Sequence, residues 1–516
     1  MKRSFTQPYA WLVACGMVSI LAGCNRPQAD GARESGSVTD STLDAAGTGT
    51  ATKGKVPITT KSEEARKLYL KGQEYGDQLR FHEARQLYQQ AAAKDPDFAM
   101  AHLRLAQTSP TPKEFRAHLD QAVTLADKAT EGERLTILIL QANANADPAK
   151  ALQLAEELVR KYPEDERARL VLANNYNGRQ DYQNTIQELK KAIELAPNFS
   201  PAYNSLGYAY RPVGNYAEAE NAFKKYIELV PNDPNPYDSY AELLMKTGRF
   251  DESIAQYRKA LSIDPHFVAS HYGIASDLAF QGKHAQAIAE TQKMDAAAQN
   301  DGDRRFAMFT RTVVYLDQGS TDRALKEMDK QYALGAKIGD TAAMAGDGES
   351  MGDILLNAGK PDQASRRYDQ ALSLVEKSSL SSEVKEDARL AHHYHLGRVA
   401  LAKGDLATAK SEADEYLKGA KDKQNDARIR QAHELAGLIA LKEKNFDQAV
   451  SELEQANLQD PYVLYVLASA EGGKEGNGRK AAELYKKAAE SYTLPTLNYA
   501  MIRAKAKQQS AAGFTP

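Results

Sequence analysis

The chain has 516 residues, 42% hydrophobic, 8% aromatic and 26% charged, with 66 basic against 69 acidic side chains and a net charge of −3. That balance provides no basic surface for a nucleic-acid partner. The only cysteines, Cys15 and Cys24, lie in the first two dozen residues, which excludes a disulfide framework or a Cys-ligated metal site in the remainder.

The first segment reads as an address. Lys2 and Arg3 form a cationic start, an apolar run extends from about Trp11 to Ala22, and small residues follow, the three-part layout of a secretory signal peptide. The run is too short to cross a bilayer, which takes about 20 residues. Leu21-Ala22-Gly23-Cys24 resembles the lipobox of bacterial lipoproteins. That resemblance implies cleavage after residue 23, acylation of Cys24, and a membrane partner reached through the lipid anchor. In Gram-negative lipoproteins an Asp after the Cys retains the protein in the inner membrane; Asn25 stands there instead. The expected location is therefore the outer membrane, facing the periplasm, or the cell membrane if the source is Gram-positive.

Residues 24–60 are rich in Gly, Ser, Thr, Ala and Asp with almost no large apolar side chain, so they are expected to remain an unfolded tether. As a flexible chain it would reach about 30 to 36 Å.

From Ser62 onward Leu, Tyr and Ala recur at helical spacing, with Gly or Pro at the breaks. Arg169, Tyr203, Tyr237 and His271 stand 34 apart, as do Pro197, Pro231 and Pro265. In the clearest unit Tyr203 is followed by Leu206-Gly207, Tyr210, Gly214, Tyr216, Ala219, Phe223 and Pro231. The period and this pattern resemble the tetratricopeptide repeat, with Tyr203 in place of the consensus Trp and Tyr226 in place of an Ala. The resemblance implies an all-α, right-handed solenoid of helix hairpins.

A packing argument gives the same count without the family. Closely crossed helices need small residues at the crossing, and twelve residues separate Gly72 and Ala84, Ala173 and Thr185, Gly207 and Ala219, Ala241 and Ser253, Ala275 and Ala287, Gly352 and Ala364, Gly397 and Ala409, Gly437 and Ala449, and Ser469 and Ala481. Degenerate pairs at Ala106/His118, Ile139/Ala151 and Thr312/Ala324 bring the expectation to about twelve hairpins. Spacing divides them into a regular array over 61–299 and an irregular one over 300–493. Insertions around Gly335–Asp347 and Lys377–Asp387 imply longer loops, extended helices or a changed superhelical path. Residues 494–516 read as a capping helix and tail, covering the open end of the stack.

Three motifs suggest chemistry and are outweighed by their setting. Gly348-Glu349-Ser350-Met351-Gly352 matches the G-x-S-x-G elbow of serine hydrolases, but Gly352 is a helix-crossing residue, which places Ser350 inside a helix. His392 and His395 could share a metal ion on one helix face, yet nothing marks further ligands and His393 holds a core slot. The run Gly473 to Lys480 approximates a phosphate loop without its Lys-Ser or Lys-Thr ending. No enzyme activity, cofactor, metal or small-molecule substrate is expected.

The remaining candidate is the concave groove. The resemblance assigns ligand contact to the fifth, ninth and twelfth residues of each first helix. These are Leu170, Asn174 and Asn177; Asn204, Tyr208 and Arg211; Asp238, Glu242 and Met245; and Tyr272, Ser276 and Ala279. The partner-binding candidates are Asn174, Asn177, Asn204, Tyr208, Arg211, Asp238 and Glu242, because Asn can both donate and accept along an extended peptide and Tyr with Arg recurs at binding hot spots. The sequence therefore reads as a non-catalytic scaffold lipoprotein that binds an unidentified protein partner during envelope assembly. A scaffold for exopolysaccharide export or for cell-wall enzymes is the alternative, and a hydrolase using Ser350 is the third class. If Cys24 carries the anchor, Cys24→Ser should move the protein from the membrane to the soluble fraction on ultracentrifugation; unchanged sedimentation would contradict it.

Overall fold

The computed structural model describes residues 54–77 and 80–511. Cys24, the signal peptide and most of the expected tether lie outside the described residues. Among the described residues the chain is helical without strands, and none of its helices is long and apolar enough to cross a membrane.

Twelve hairpins follow one another in this described part. The first four are α1 (Glu63–Asp77) with α2 (Phe81–Lys94), α3 (Ala99–Gln107) with α4 (Pro112–Leu125), α5 (Glu131–Ala144) with α6 (Pro148–Lys161), and α7 (Glu166–Gly178) with α8 (Tyr182–Leu195). The next four are α9 (Ser200–Tyr210) with α10 (Tyr216–Leu229), α11 (Asn235–Lys246) with α12 (Phe250–Ile263), α13 (Val268–Phe280) with α14 (His284–Ala297), and α15 (Asp301–Asp317) with α16 (Thr321–Lys337). The last four are α17 (Thr341–Asn357) with α18 (Pro361–Lys377), α19 (Ser382–Lys403) with α20 (Leu406–Asp422), α21 (Asp426–Lys442) with α22 (Phe446–Gln455), and α23 (Pro461–Gly472) with α24 (Gly478–Ala489). A last helix, α25 (Leu497–Ala511), follows.

The small-residue pairs are the points of closest approach. A Cβ on Gly72 would stand 3.3 Å from Ala84 O and 2.7 Å from the Tyr88 ring, and one on Gly437 would stand 3.4 Å from Ala449 O. At Ala241/Ser253 the serine hydroxyl donates to the Ala241 carbonyl at 2.8 Å. Among the described residues, ten of the hairpin turns hold a left-handed residue. Gly214, Gly248 and Gly282 supply it at intervals of 34, with φ of 75°, 77° and 77° in turn. Gln180, 34 residues before Gly214, holds φ 73°, at a cost of about 1 kcal/mol relative to glycine. Between hairpins the prolines end the second helix, and the next helix reaches back to them: Tyr203 and Tyr237 donate to the carbonyls of Pro197 and Pro231 at 3.0 Å.

The irregular half differs in helix length. Every helix from α15 to α18 has 17 residues and α19 has 22, so most of the extra residues extend helices; only short turns separate α16 from α17 and α18 from α19. The longer units bring the chain back against itself. Lys113 N donates to Asp340 at 3.0 Å, Asn425 Nδ2 to Ala146 O at 3.1 Å, and Arg179 pairs with Asp426 at 2.8 Å.

Two expectations at the ends are corrected. The tether, expected to reach residue 60, is fixed from Lys55 onward. Lys55 pairs with Glu166, and the backbone N–H groups of Val56, Thr59 and Lys61 donate to Asp165, Glu133 and Asp95 at 2.8, 2.8 and 2.9 Å. Carboxylates at the starts of α7 and α5 and at the end of α2 hold this extended strap where composition alone suggested nothing to bury. The last helix does follow α24, but it does not lie only across the open end. It packs against α15, α23 and α17 and buries Tyr499, Ile502 and Arg503.

The close crossings make a direct prediction. A Cβ on Gly352 would lie 2.3 Å from the Tyr368 ring, so Gly352→Ala should lower stability by about 1 to 3 kcal/mol, read as a reduced Tm in thermal unfolding. An unchanged Tm would show that the crossing is looser than described.

Candidate functional site

The 34-residue period aligns the predicted groove residues in rows, and the structure gives them two different surroundings. On α7, Asn174 is exposed and Asn177 half-buried. The other five are buried: Asn204 and Tyr208 on α9, Arg211 just after its end, and Asp238 and Glu242 on α11. Tyr208 donates its hydroxyl to Glu242, Arg211 pairs with the same carboxylate at 3.2 Å and lies 5.1 Å from the Tyr208 ring, and Ser270 donates to Asp238 at 2.6 Å. Those five are therefore not available as an open contact surface.

Beside this row lies a self-contact that the sequence reading did not foresee. Residues 491–497 and α25 run along the inner face of the regular array. Lys246 donates to Ser491 O at 2.6 Å and Tyr272 to Pro495 O at 2.7 Å. Leu494 packs on the apolar cluster that contains Tyr208, Tyr240 and Tyr272. Tyr492 meets Phe250 and Phe280 edge-on at 5.0 and 5.5 Å between ring centres. Removal of water shifts the polar groups here: burial pushes Lys246 down to about 8 with the Arg211 charge assisting, and burial pushes Asp238 well above the usual carboxylate range with Glu242 assisting.

The inner row continues into the irregular half, where the same rule locates residues that the sequence reading left unassigned. The groove positions stand three before, one after and four after each small crossing residue. Counting from Gly352, Gly397 and Gly437 gives Glu349, Asp353 and Leu356; Tyr394, Arg398 and Leu401; and Glu434, Leu438 and Leu441. Arg398 and Tyr368 converge on Asp353 at 2.5 and 2.8 Å, and Tyr394 donates to Glu434 at 2.9 Å. Burial, then the neighbouring charge of Asp353, raises Glu349 well above the usual carboxylate range, and burial with Asp460 takes Glu434 up to about 7. Leu356, Leu401, Leu438 and Leu441 are half-buried, as are Glu349, Asp353 and Arg398. An apolar stripe flanked by charge thus faces inward from α17, α19 and α21.

The three chemistry motifs take structural places. Ser350 lies within α17, so no strand leads into it and the elbow geometry is not formed. The histidine rings diverge: His395 stacks on Tyr368 at 4.3 Å, His392 faces Asp369 and His393 bonds Glu412 at 2.6 Å. In the glycine-rich turn, Lys474 and Lys480 pair with Asp447 and Glu471, and a Cβ on Gly473 would lie 2.2 Å from the Phe446 ring.

One buried acid behind the groove gives a pH prediction. Asp277 on α13 is fully buried, and burial pushes its carboxyl up to about 8. A carboxyl raised in the folded state favours folding below its unfolded value near 4, and that advantage is lost as pH climbs toward 8. Asp277→Asn should therefore flatten the decline: between pH 5 and 7 wild type should lose about 3 kcal/mol relative to the variant. Thermal unfolding across that range reads it, and parallel slopes for the two proteins would refute the assignment.

Family models agree with this repeat geometry. Models described as tetratricopeptide repeat match residues 69–109, 142–200 and 350–426, and 188–221, and one described as TPR repeat matches 241–276. A thermophilic tetratricopeptide-repeat protein of Thermus thermophilus is 25% identical over 35% of this chain and 98% of its own, with a TM-score of 0.31. A tetratricopeptide-repeat protein from Parabacteroides merdae is 17% identical over 55% of this chain and 99% of its own, with a TM-score of 0.34. The MamA protein is 20% identical over 32% and 91%, with a TM-score of 0.27. No curated protein matches. Twelve hairpins, nine of them with small residues paired at twelve-residue separation, and tetratricopeptide models matched in both halves make this chain a tetratricopeptide-repeat protein.

Proposed function

We propose that the protein is a lipid-anchored, non-catalytic scaffold of the bacterial outer membrane, whose inner face holds polypeptide segments of envelope proteins while they assemble. The observation that carries the reading is the inner face of α11, α13 and α15, which already accommodates a stretch of polypeptide, residues 491–503, through backbone hydrogen bonds, aromatic edges and a buried ion pair. A surface with those features suits a peptide ligand. The open continuation on α17, α19 and α21 offers the same mixture of half-buried Leu and charged side chains. The Leu21-Ala22-Gly23-Cys24 sequence and Asn25 support the anchor and its outer-membrane placement. An envelope scaffold needs no catalytic constellation, and tetratricopeptide repeats are protein-interaction modules in general.

The reading is tested by in-cell crosslinking and mass spectrometry of the intact protein against a variant carrying Leu401→Asp and Leu441→Asp, with circular dichroism confirming that the variant stays helical. Partners from the envelope should crosslink to wild type and be lost from the variant. Retention of every partner would remove the inner face from the mechanism.

A further inference from the structure

We propose that the inner face of α13, α15 and α17 is a receptor for a basic helix, that residues 491–511 are its resident occupant, and that a partner binds by supplying a helix of the same chemistry in their place. This rests on the docking reading above and specifies the ligand.

The receptor side is built on rigid helices. Asp317, at the end of α15, is 8% exposed and accepts from Arg503 Nε and Nη2 at 2.5 Å each and from His284 Nε2 at 2.9 Å. These donors outweigh burial and hold the Asp317 carboxyl below its ordinary range. Arg503 also donates to Ala279 O at 3.1 Å, and its guanidinium lies 5.2 Å from the centre of the Phe280 ring. Tyr272 and Lys246 add the two donors that hold the extended lead-in at Pro495 and Ser491. A bidentate arginine on a desolvated carboxylate is a strong and selective anchor.

The occupant defines what fits. Tyr499, Ile502, Arg503 and Ala506 form one buried side, with Ala506 fully enclosed, and Leu497, Ala500 and Met501 are buried against a second apolar cluster. The ligand therefore needs an aromatic residue, an aliphatic residue and an arginine within two turns, then a small residue one turn later. Beyond Ala506 the helix emerges from the groove: Lys507, Gln508 and Gln509 are exposed. Two features favour exchange. Buried side chains end at Ala506, and among the described residues the ion pairing of this segment is confined to Arg503 with Asp317. The chain also enters the groove through Tyr492 at φ 39°, a left-handed conformation for a non-glycine residue that a helix supplied by another molecule need not adopt. A tethered occupant competes at high effective concentration, so weakening it should reveal binding from solution.

The test uses a fluorescent peptide with the sequence of residues 491–511 and the full chain. Wild type should bind it weakly, Arg503→Ala at least tenfold more tightly, and Arg503→Ala combined with Asp317→Ala no better than background. Absence of binding to a helical Arg503→Ala protein would overturn the proposal. If that variant does not fold, hydrogen exchange on wild type decides: amides of residues 497–503 should exchange at least tenfold faster than those of 306–316, and equal protection would mark α25 as a permanent brace. The peptide assay involves no envelope partner, so peptide binding without crosslinked partners would fault the docking reading, whereas crosslinked partners without peptide binding would fault this inference.

Discussion

Two helices can pack at about 8 to 10 Å only where the side chains at their crossing are small, and this constraint, repeated at twelve-residue separation, underlies the whole molecule. It sets the crossing in each hairpin, as at Gly72 over Ala84 and Gly437 over Ala449. Because the crossings recur at a fixed interval in the regular half, residues at fixed offsets from them line up along one face. Charge, aromatic rings and the route of the chain's last segment are then arranged relative to that row. The buried carboxylate Asp238 lies in that row beside Glu242 and Ser270, and Asp277 is buried behind it near Ser253.

Local signals were legible in the sequence, and long-range ones were not. The 34-residue spacing of Tyr203 and Tyr237 corresponds to the paired hydrogen bonds to Pro197 and Pro231, and the nine small-residue pairs with the three degenerate ones correspond to twelve hairpins. The groove offsets were legible too, but not their exposure. Arg211 and Glu242 read as contact residues because their spacing points inward. What they meet is each other and Tyr208, and no local pattern in Ser491–Pro495 announces that it runs beside Lys246 and Tyr272. The same offsets applied from Gly352, Gly397 and Gly437 would have found Asp353, Arg398 and Glu434, had the longer helices of that half not obscured the period.

The two halves solve different problems with one kind of unit. The regular half has uniform hairpins and a filled inner face, with Tyr208, Tyr240 and Tyr272 in one apolar cluster. The irregular half uses 17- and 22-residue helices and leaves its inner side chains half in water, with ion pairs such as Arg398–Asp353 in place of apolar packing. A face of that kind can exchange water for a ligand without first breaking a core.

The extended strap at residues 55–61 has a mechanical meaning. It runs opposite to the direction in which the hairpins are stacked, meeting Asp165 first, then Glu133, then Asp95, before α1 begins. Tension applied through the N-terminal segment is therefore taken up at the fourth hairpin and must release three carboxylate clasps in succession before it reaches the first. The end unit of a solenoid, which has a neighbour on one side only and would otherwise fray, is the last to feel the load.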